Sequence, residues 1–149
     1  MTADARKIVL RLLVAGASIE SRLDPTILSV HGISLREMIL LLNLERAPMH
    51  RMRRVDLASA MNIGASSVSH LGDPLEKQGL VKREFDSRDA RVAYMTLTDL
   101  GLERVRQAEK TLDQLSDKLF DERWAKHDLT EFMKRLGQLV YGSSSLLID

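Results

Sequence analysis

The sequence lacks cysteine, long apolar runs and a strong net charge. None of its 149 residues is cysteine, which excludes a disulfide framework, a thiolate zinc site and a cysteine redox sensor. No run of about 18 uncharged apolar residues occurs, so we expect no membrane-spanning helix. Charged residues interrupt every apolar stretch of the first eleven residues, which argues against a signal peptide. These absences favour a cytoplasmic protein.

Signatures of common enzyme classes are missing as well. The chain has no glycine-rich phosphate loop, no cysteine nucleophile and no nucleophile elbow. Its histidines form no pair at the i, i+4 spacing of a zinc site; they are His31, His50, His70 and His127. We therefore expect no enzymatic activity, no cofactor and no bound metal.

The charges are unevenly distributed, although the net charge is only +1. Residues 1–45 carry five basic and five acidic residues, and residues 94–149 carry eight basic and ten acidic residues. Residues 46–93 carry nine basic and six acidic residues. Attraction to phosphate groups would therefore concentrate in the middle third of the chain.

Hydrophobic periodicity predicts a helix over residues 3–23, with Ile8, Leu12, Ala15, Ile19 and Leu23 on one face. Asp24-Pro25 is typical of a cap followed by a first helical residue, which predicts a separate short turn ending at Gly32.

A second helix is predicted from a capping box, in which Ser34 is followed three residues later by Glu37. Residues 38–44 are apolar on almost every side of this helix, so we expect it to be the buried centre of the protein. Pro48 closes the segment.

Two short helices follow, at residues 55–61 and 65–78, with Asn62-Ile63-Gly64 as the turn between them. This is a helix-turn-helix arrangement. Residues 80–85 and 92–97 are rich in β-branched and apolar side chains, and the charged turn between them predicts a β-hairpin.

Thr98 then caps a long helix with an apolar seam that prefers a helical partner. Asp128 and Glu131 form a second capping box, which predicts the start of the last helix. The inward residues of that helix would be Leu129, Phe132, Met133, Leu136, Leu139 and Val140. Residues 142–145 end it, and we expect the tail to fray.

A helix-turn-helix followed at once by a hairpin is typical of a winged helix, whose second helix fits the DNA major groove. Four motifs stand in order: residues 55–61 (VDLASAM), 75–81 (LEKQGLV), 86–92 (DSRDARV) and 95–101 (MTLTDLG). Together they resemble the MarR (multiple antibiotic resistance regulator) family. The resemblance covers residues 33–109 by motif and the flanking helices by layout.

The resemblance implies a mainly α fold in a single domain. Residues 33–97 would form the winged helix-turn-helix, and residues 1–32 and 98–149 the dimerisation helices. It implies a sequence-specific DNA-binding transcription regulator, a homodimer on a near-palindromic operator, acting as a repressor that a small aromatic or lipophilic effector releases. The alternative to the dimer is a monomer that packs these helices on itself.

The resemblance also implies a set of DNA-contacting residues, which are Arg53, Arg54, Ser66, Ser67, Ser69, His70, Arg88 and Arg91. The first two would meet phosphates, and the serines and the histidine would bond phosphates or base edges. Arg88, at the tip of the wing, would enter the minor groove. Asp89 would pair with Arg91 and stabilise the wing. A solvated surface charge is the alternative for each arginine.

An effector pocket is implied between the dimerisation helices and the winged helix. Its walls would be Ile19, Leu23, His31, Leu35 and Met38, with Arg11 and Arg22 near its edge. The alternative is that the apolar residues are ordinary core and that His31 caps a helix.

One feature departs from the family pattern, because Gly72-Asp73-Pro74 lies inside the recognition helix. Proline removes a helical hydrogen bond and crowds the carbonyl four residues earlier. This predicts a kinked or split helix in which residues 65–71 read the groove; the alternative is a modest kink without effect. A severe break would favour a different function, a winged-helix protein-interaction module with weakened or lost DNA binding.

Overall fold

The computed structural model of this chain describes residues 2–140 and 142–147. The chain is 69% helical. Its helices are α1 (Thr2–His31), α2 (Leu35–Arg46), α3 (Arg54–Met61), α4 (Ala65–Lys77), α5 (Asp99–Leu119) and α6 (Lys126–Leu139). Its strands are β1 (Arg51–Arg53), β2 (Val81–Phe85) and β3 (Ala93–Leu97), and a 3₁₀ turn, Pro48–His50, joins α2 to β1. Among the described residues no single helix is long and apolar enough to cross a membrane; Ala3–His31 and Leu35–Arg46 reach that length and composition only as a pair bent by 75°.

Helix α1 continues to His31, so the predicted break at Asp24-Pro25 is wrong. Asp24 does not cap a turn of its own helix; its Oδ1 accepts a hydrogen bond of 2.7 Å from the backbone N–H of Leu35, the first residue of α2. Pro25 leaves the carbonyl of Ser21 without its helical donor. Because Ser21 is exposed, water can satisfy that carbonyl and the helix is not interrupted.

Helix α2 is the centre of the molecule, as predicted. The capping box is present, because Ser34 Oγ accepts from the N–H of Glu37 at 3.1 Å and Glu37 Oε2 accepts from the N–H of Ser34 at 2.8 Å. The buried residues of α2 cover all of its sides; they are Leu35, Met38, Leu40, Leu41, Leu42, Asn43 and Leu44. Helices α1, α3, α4 and α5 and strands β1 and β3 all contact α2.

Helices α3 and α4 form the predicted helix-turn-helix, with Asn62 in the left-handed conformation at the end of α3. The predicted split of α4 is wrong, because Ala65–Lys77 is one helix with Pro74 inside it. Val68 and Leu75, on either side of the predicted break, are both completely buried. Their packing holds both halves of α4 against the core and outweighs the local effect of proline.

The predicted hairpin is confirmed, with β2 and β3 antiparallel and Arg83 opposite Met95. A third strand, β1, was not predicted and pairs with the other edge of β3. Three residues of sequence Arg-Met-Arg carry no alternating pattern long enough to indicate a strand, so only pairing with β3 defines it.

Helix α5 begins as predicted, with Thr98 Oγ1 accepting from the N–H of Gly101 at 3.0 Å. Its seam packs within the chain, because Val105 and Ala108 are buried against the core. The side chain of His31 joins α1 to α5 through a 2.7 Å hydrogen bond between its Nε2 and Thr111 Oγ1.

Helix α6 begins at Lys126, after Ala125, so the predicted capping box at Asp128 is wrong. Trp124 packs between Phe120 and Phe132, with ring centroids 5.4 and 5.6 Å apart. This aromatic cluster fixes the connection to α5 and allows the helix to begin earlier. The six residues predicted to face inward are not buried in α6, whose described side chains are all at least partly exposed.

The described part of the C-terminal tail does not fray, contrary to the prediction. The N–H of Leu146 donates to Asn43 Oδ1 at 3.2 Å, and the carbonyl of Leu146 accepts from Arg46 Nη1 at 3.2 Å. Leu147 packs against the hydrophobic core. The buried amide of Asn43 would otherwise leave its oxygen without a donor, and this polar group in an apolar helix explains why the tail is held.

Gly101→Ala should destabilise the protein, because a Cβ at position 101 would lie 2.0 Å from the carbonyl oxygen of Leu80. Backbone cannot move aside cheaply, so we expect the free energy of unfolding to fall by about 3 kcal/mol. The matched control is Gly137→Ala, where nothing lies within 4 Å and stability should rise by up to about 1 kcal/mol. Urea unfolding at equal protein concentration measures both; equal effects would contradict the close approach of α5 to β2.

Pro74→Ala should stabilise the protein, because it restores the helical hydrogen bond from position 74 to the carbonyl of His70. We expect a gain of about 1–3 kcal/mol in the free energy of unfolding. Pro48→Ala is the control, since Pro48 stands at the start of the 3₁₀ turn, where a proline removes no helical bond. A Pro74 variant no more stable than the Pro48 variant would show that α4 holds no such strain.

Candidate nucleic-acid interface

The start of α3 and the middle of α4 meet through a side-chain contact. Arg54 Nη1 donates to Ser69 Oγ at 3.1 Å, and that hydroxyl also lies 3.4 Å from the carbonyl of Ala65. Arg53 caps α3 by position, and its Nε donates to Asp56 Oδ2 at 2.9 Å. The hydrogen bond to Asp56 raises the pKa of Arg53. Both arginines are exposed, and the same short segment presents them.

The outer side of α4 carries three of the predicted residues, because Ser66, Ser67 and His70 are exposed while Val68 is completely buried. The exposed side chains stand in the first two turns of the helix. The N-terminus of a helix presents free N–H groups and partial positive charge, so this end of α4 suits the approach of an anionic strand.

The wing, residues 86–92, is built around an aspartate that the sequence did not single out. Asp86 Oδ1 accepts from the backbone N–H of Arg88 at 2.7 Å and of Asp89 at 3.2 Å. These are the contacts of an aspartate turn. The N–H of Asp86 in turn donates to the carbonyl of Val92 at 2.9 Å, so the loop closes on itself and Arg88 stands exposed near its tip.

Asp89 and Arg91 form a bidentate ion pair, with Nε 3.0 Å from Oδ1 and Nη2 3.1 Å from Oδ2. The backbone N–H of Arg91 also donates to Asp89 Oδ1 at 3.0 Å. These bonds hold the pKa of the Asp89 carboxyl below its usual value. The pair therefore stays charged near neutral pH and restricts the exposed end of the wing.

A groove of about 430 Å³ separates α4 from the wing, and we call it the wing groove. The cationic side chains among its lining residues are Arg53, Arg54, Lys82, Arg83 and Arg91, and the acidic ones are Asp73 and Glu76. Its apolar lining includes Val55, Phe85 and Met95. The sequence predictions missed Arg83 and Phe85; the alternation of side chains along β2, counted from the buried Val81, was the signal that could have found them.

The predicted effector residues are only partly brought together. Ile19 and Leu35 line a cleft of about 360 Å³, together with Gly16, Glu20, Arg36, Ile39, Met61, Ile63 and Leu71. Leu23 and Met38 are buried in the core instead, and His31 is engaged with Thr111. Arg11 and Arg22 are not among the lining residues of this cleft.

The cleft lies between three parts of the fold. Ile19 belongs to α1, Ile39 to α2 and Leu71 to the recognition helix α4. At its rim Arg36 Nε lies 2.6 Å from Glu20 Oε1, and this hydrogen bond lowers the pKa of Glu20. A molecule in the cleft would therefore touch both α1 and the helix that faces DNA in a winged helix.

The first half of α1 and the face of α6 expose large apolar side chains in the single chain. Ile8, Leu13 and Val14 of α1 are 56, 66 and 69% exposed, and Met133 and Leu139 of α6 are 69 and 66% exposed. An apolar face of this extent needs a covering surface in water.

Residues 33–93 match the MarR family. The chain is similar to the transcriptional repressor MprA of Escherichia coli strain K12, with 28% identity over 80 residues. That match covers 54% of this chain and 46% of MprA, so it spans about half the length of the curated relative.

Two solved structures from Streptomyces coelicolor are similar over nearly their whole length. Sco3205, a MarR family transcriptional regulator solved in complex with DNA, is 25% identical with a TM-score of 0.82, covering 95% of this chain and 92% of its own. AbsC, another MarR family transcriptional regulator, is 29% identical with a TM-score of 0.77, covering 92% of this chain and 93% of its own. In the sequence of residues 33–93 and in the fold of nearly its whole length, this chain is similar to transcriptional regulators of the MarR family.

Proposed function

We propose that this protein is a sequence-specific, DNA-binding transcription regulator. The observation that carries the proposal is one cation-lined groove, whose walls include Arg54 of α3, Ser69 of α4 and Arg91 of the wing. The first two turns of the same helix α4 carry exposed polar side chains. The DNA complex of Sco3205 and the repressor activity in the name of MprA support the proposal, and we propose repression as the mode of action. The proposed location of this DNA binding is the cytoplasm.

The residues of the proposed DNA face take different roles. Ser66, Ser67 and His70 face the major groove and bond base edges or phosphates. Arg53 and Arg54 contact backbone phosphates, with Ser69 orienting the second of them. Arg88 enters the minor groove, where a guanidinium group is attracted by narrow A·T tracts. Asp89 and Arg91 keep the wing in shape.

The working form is a homodimer. Residues 33–97 form the winged helix-turn-helix, and residues 1–32 and 98–149 supply the dimerisation helices of the same domain. The exposed apolar side chains of α1 and α6 support this, because a second copy would cover them. A two-fold dimer presents two α4 helices about one DNA turn apart, which predicts a near-palindromic operator.

A small aromatic or lipophilic acid is the proposed effector, and the cleft beside Ile19 and Leu35 is its proposed site. The cleft has an apolar wall for the ring of the effector, and the ion pair of Arg36 with Glu20 lies at its rim. The carboxylate of the effector would replace Glu20 as the partner of Arg36. Because the cleft joins α1 to α4, an occupant changes the position of the recognition helix relative to the dimerisation helices. DNA release follows when the two α4 helices no longer match the spacing of the half-sites.

The alternative function, a protein-interaction module without DNA binding, rested on a broken recognition helix. Because α4 is one helix from Ala65 to Lys77, the observation that favoured this alternative is gone.

Arg88→Ala should weaken binding to an operator selected from random DNA by about tenfold, because a minor-groove guanidinium and its charge are lost. Arg123→Ala, in the connection between α5 and α6, removes an equally exposed arginine far along the chain and should leave affinity unchanged. Fluorescence anisotropy at fixed salt compares them. Enrichment of no palindrome by the wild-type protein would overturn the proposed function.

Gly16→Phe should block effector action without removing DNA binding. Position 16 lines the cleft and has nothing within 4 Å of a Cβ, so the ring can occupy the space of an aromatic acid. Salicylate and benzoate should release operator DNA from the wild type and from Gly16→Ala, but not from Gly16→Phe. Equal release from all three proteins would place the effector site elsewhere.

A further inference from the structure

We propose that the wing groove holds one sugar–phosphate strand of the operator, with Arg83 as a phosphate contact and Phe85 as a contact to deoxyribose. The inference rests on the proposed DNA binding and adds two contact residues from strand β2. A helix in the major groove and a wing in the adjacent minor groove are separated by a single DNA backbone. That backbone must pass over the space between α4 and the wing.

The pairing of the sheet decides which side chains of β2 face this space. Arg83 is directly opposite Met95, and directly opposite residues lie on the same face of a sheet. Met95 packs against α4, since a Cβ at Gly72 would lie 2.5 Å from its Cε. Arg83 and, two residues on, Phe85 therefore stand on the face of β2 that looks toward α4.

Lys82, the residue before Arg83 in β2, points to the opposite side of the pleat and has a different environment. Lys82 pairs with Thr96, and its Nζ lies 2.8 Å from Glu84 Oε1. The carboxylate of Glu84 is also bound by the hydroxyl of Thr96 at 2.9 Å. Lys82 is also among the residues that line the groove, but its charge is paired with that of Glu84.

Among the described residues, Arg83 differs from Arg53, Lys82 and Arg91 because no carboxylate is paired with it. Arg54, which donates to Ser69, shares this property. Arg53 is paired with Asp56, and Arg91 with Asp89. Within residues 2–140 and 142–147, no carboxylate oxygen lies within 4.0 Å of the Arg83 guanidinium. A free guanidinium has five donors and matches the geometry of a phosphate, and no existing pair has to be broken before it binds.

Phe85 supplies the apolar part of the same contact. It is 63% exposed and lines the groove beside Val55, which is 56% exposed. A deoxyribose ring is the apolar component of a DNA backbone, and its burial against this ring removes apolar surface from water. Asp73 and Glu76 line the α4 side of the groove, and their charge directs the strand toward Arg54 and Ser69.

The test compares two charge deletions, Arg83→Gln and Arg123→Gln, in the full-length protein on its selected operator. Arg123 is exposed and does not line the wing groove. Affinity is measured across a range of salt concentrations. Arg83→Gln should weaken binding about tenfold at moderate salt and reduce the slope of log affinity against log salt by about one. Arg123→Gln should leave the slope unchanged, and Phe85→Ala should lower affinity about fivefold without altering the slope.

Ethylation interference locates the contact. In the wild type, ethylation of one phosphate per half-site, between the major-groove and minor-groove footprints, should block binding, and Arg83→Gln should lose only that position. Equal slopes for the two glutamine variants, with wild-type binding intact, would overturn this proposal and leave the proposed function standing. A wild-type protein that binds no operator would overturn both. Thermal unfolding of each variant shows whether a loss of affinity reflects a loss of folding.

Discussion

The burial of α2 is the constraint on which the rest of the structure depends. Leu40, Leu41 and Leu44 have no solvent-exposed surface, and complete burial of such side chains contributes about 1.5–3 kcal/mol each. A helix that is apolar on all sides must be enclosed on all sides. Helices α3 and α4 and strands β1 and β3 enclose it together with α1 and α5. The orientation of the wing relative to α4 is a consequence of that enclosure.

The same core explains why local rules failed at both internal prolines. Pro25 and Pro74 stand where helix signals in the sequence indicate an interruption, yet both helices continue. In α4 the buried Val68 and Leu75 hold the two sides together, and Gly72 lies against Met95, where a side chain would meet the sheet. Gly72, which by its sequence context predicts the end of a helix, is here a point of close packing between α4 and strand β3.

The positions of the charged side chains around the wing groove depend on the packing of the elements that enclose α2. Arg54, Arg83 and Arg91 belong to three different elements and share one groove only because α4 and the hairpin pack against the same core. These cations differ in whether a carboxylate is paired with them. The bidentate bond to Asp89 restrains Arg91, whereas Arg83 keeps its full charge for a ligand. The proposed DNA face thus combines cations that are paired with carboxylates and cations that are not.

Sequence reasoning predicted the order of the six helices and the hairpin, the buried central helix and the helix-turn-helix. Periodicity, capping residues and turn residues are local signals, so they can be recognised in the sequence. Only the tertiary structure decided that both prolines stay inside helices, that β1 joins the sheet, that Asn43 holds the tail, and that Arg83 reaches the wing groove. Each of these depends on contacts between residues far apart in sequence, and burial energy from such contacts exceeds the local preferences that sequence reasoning can read.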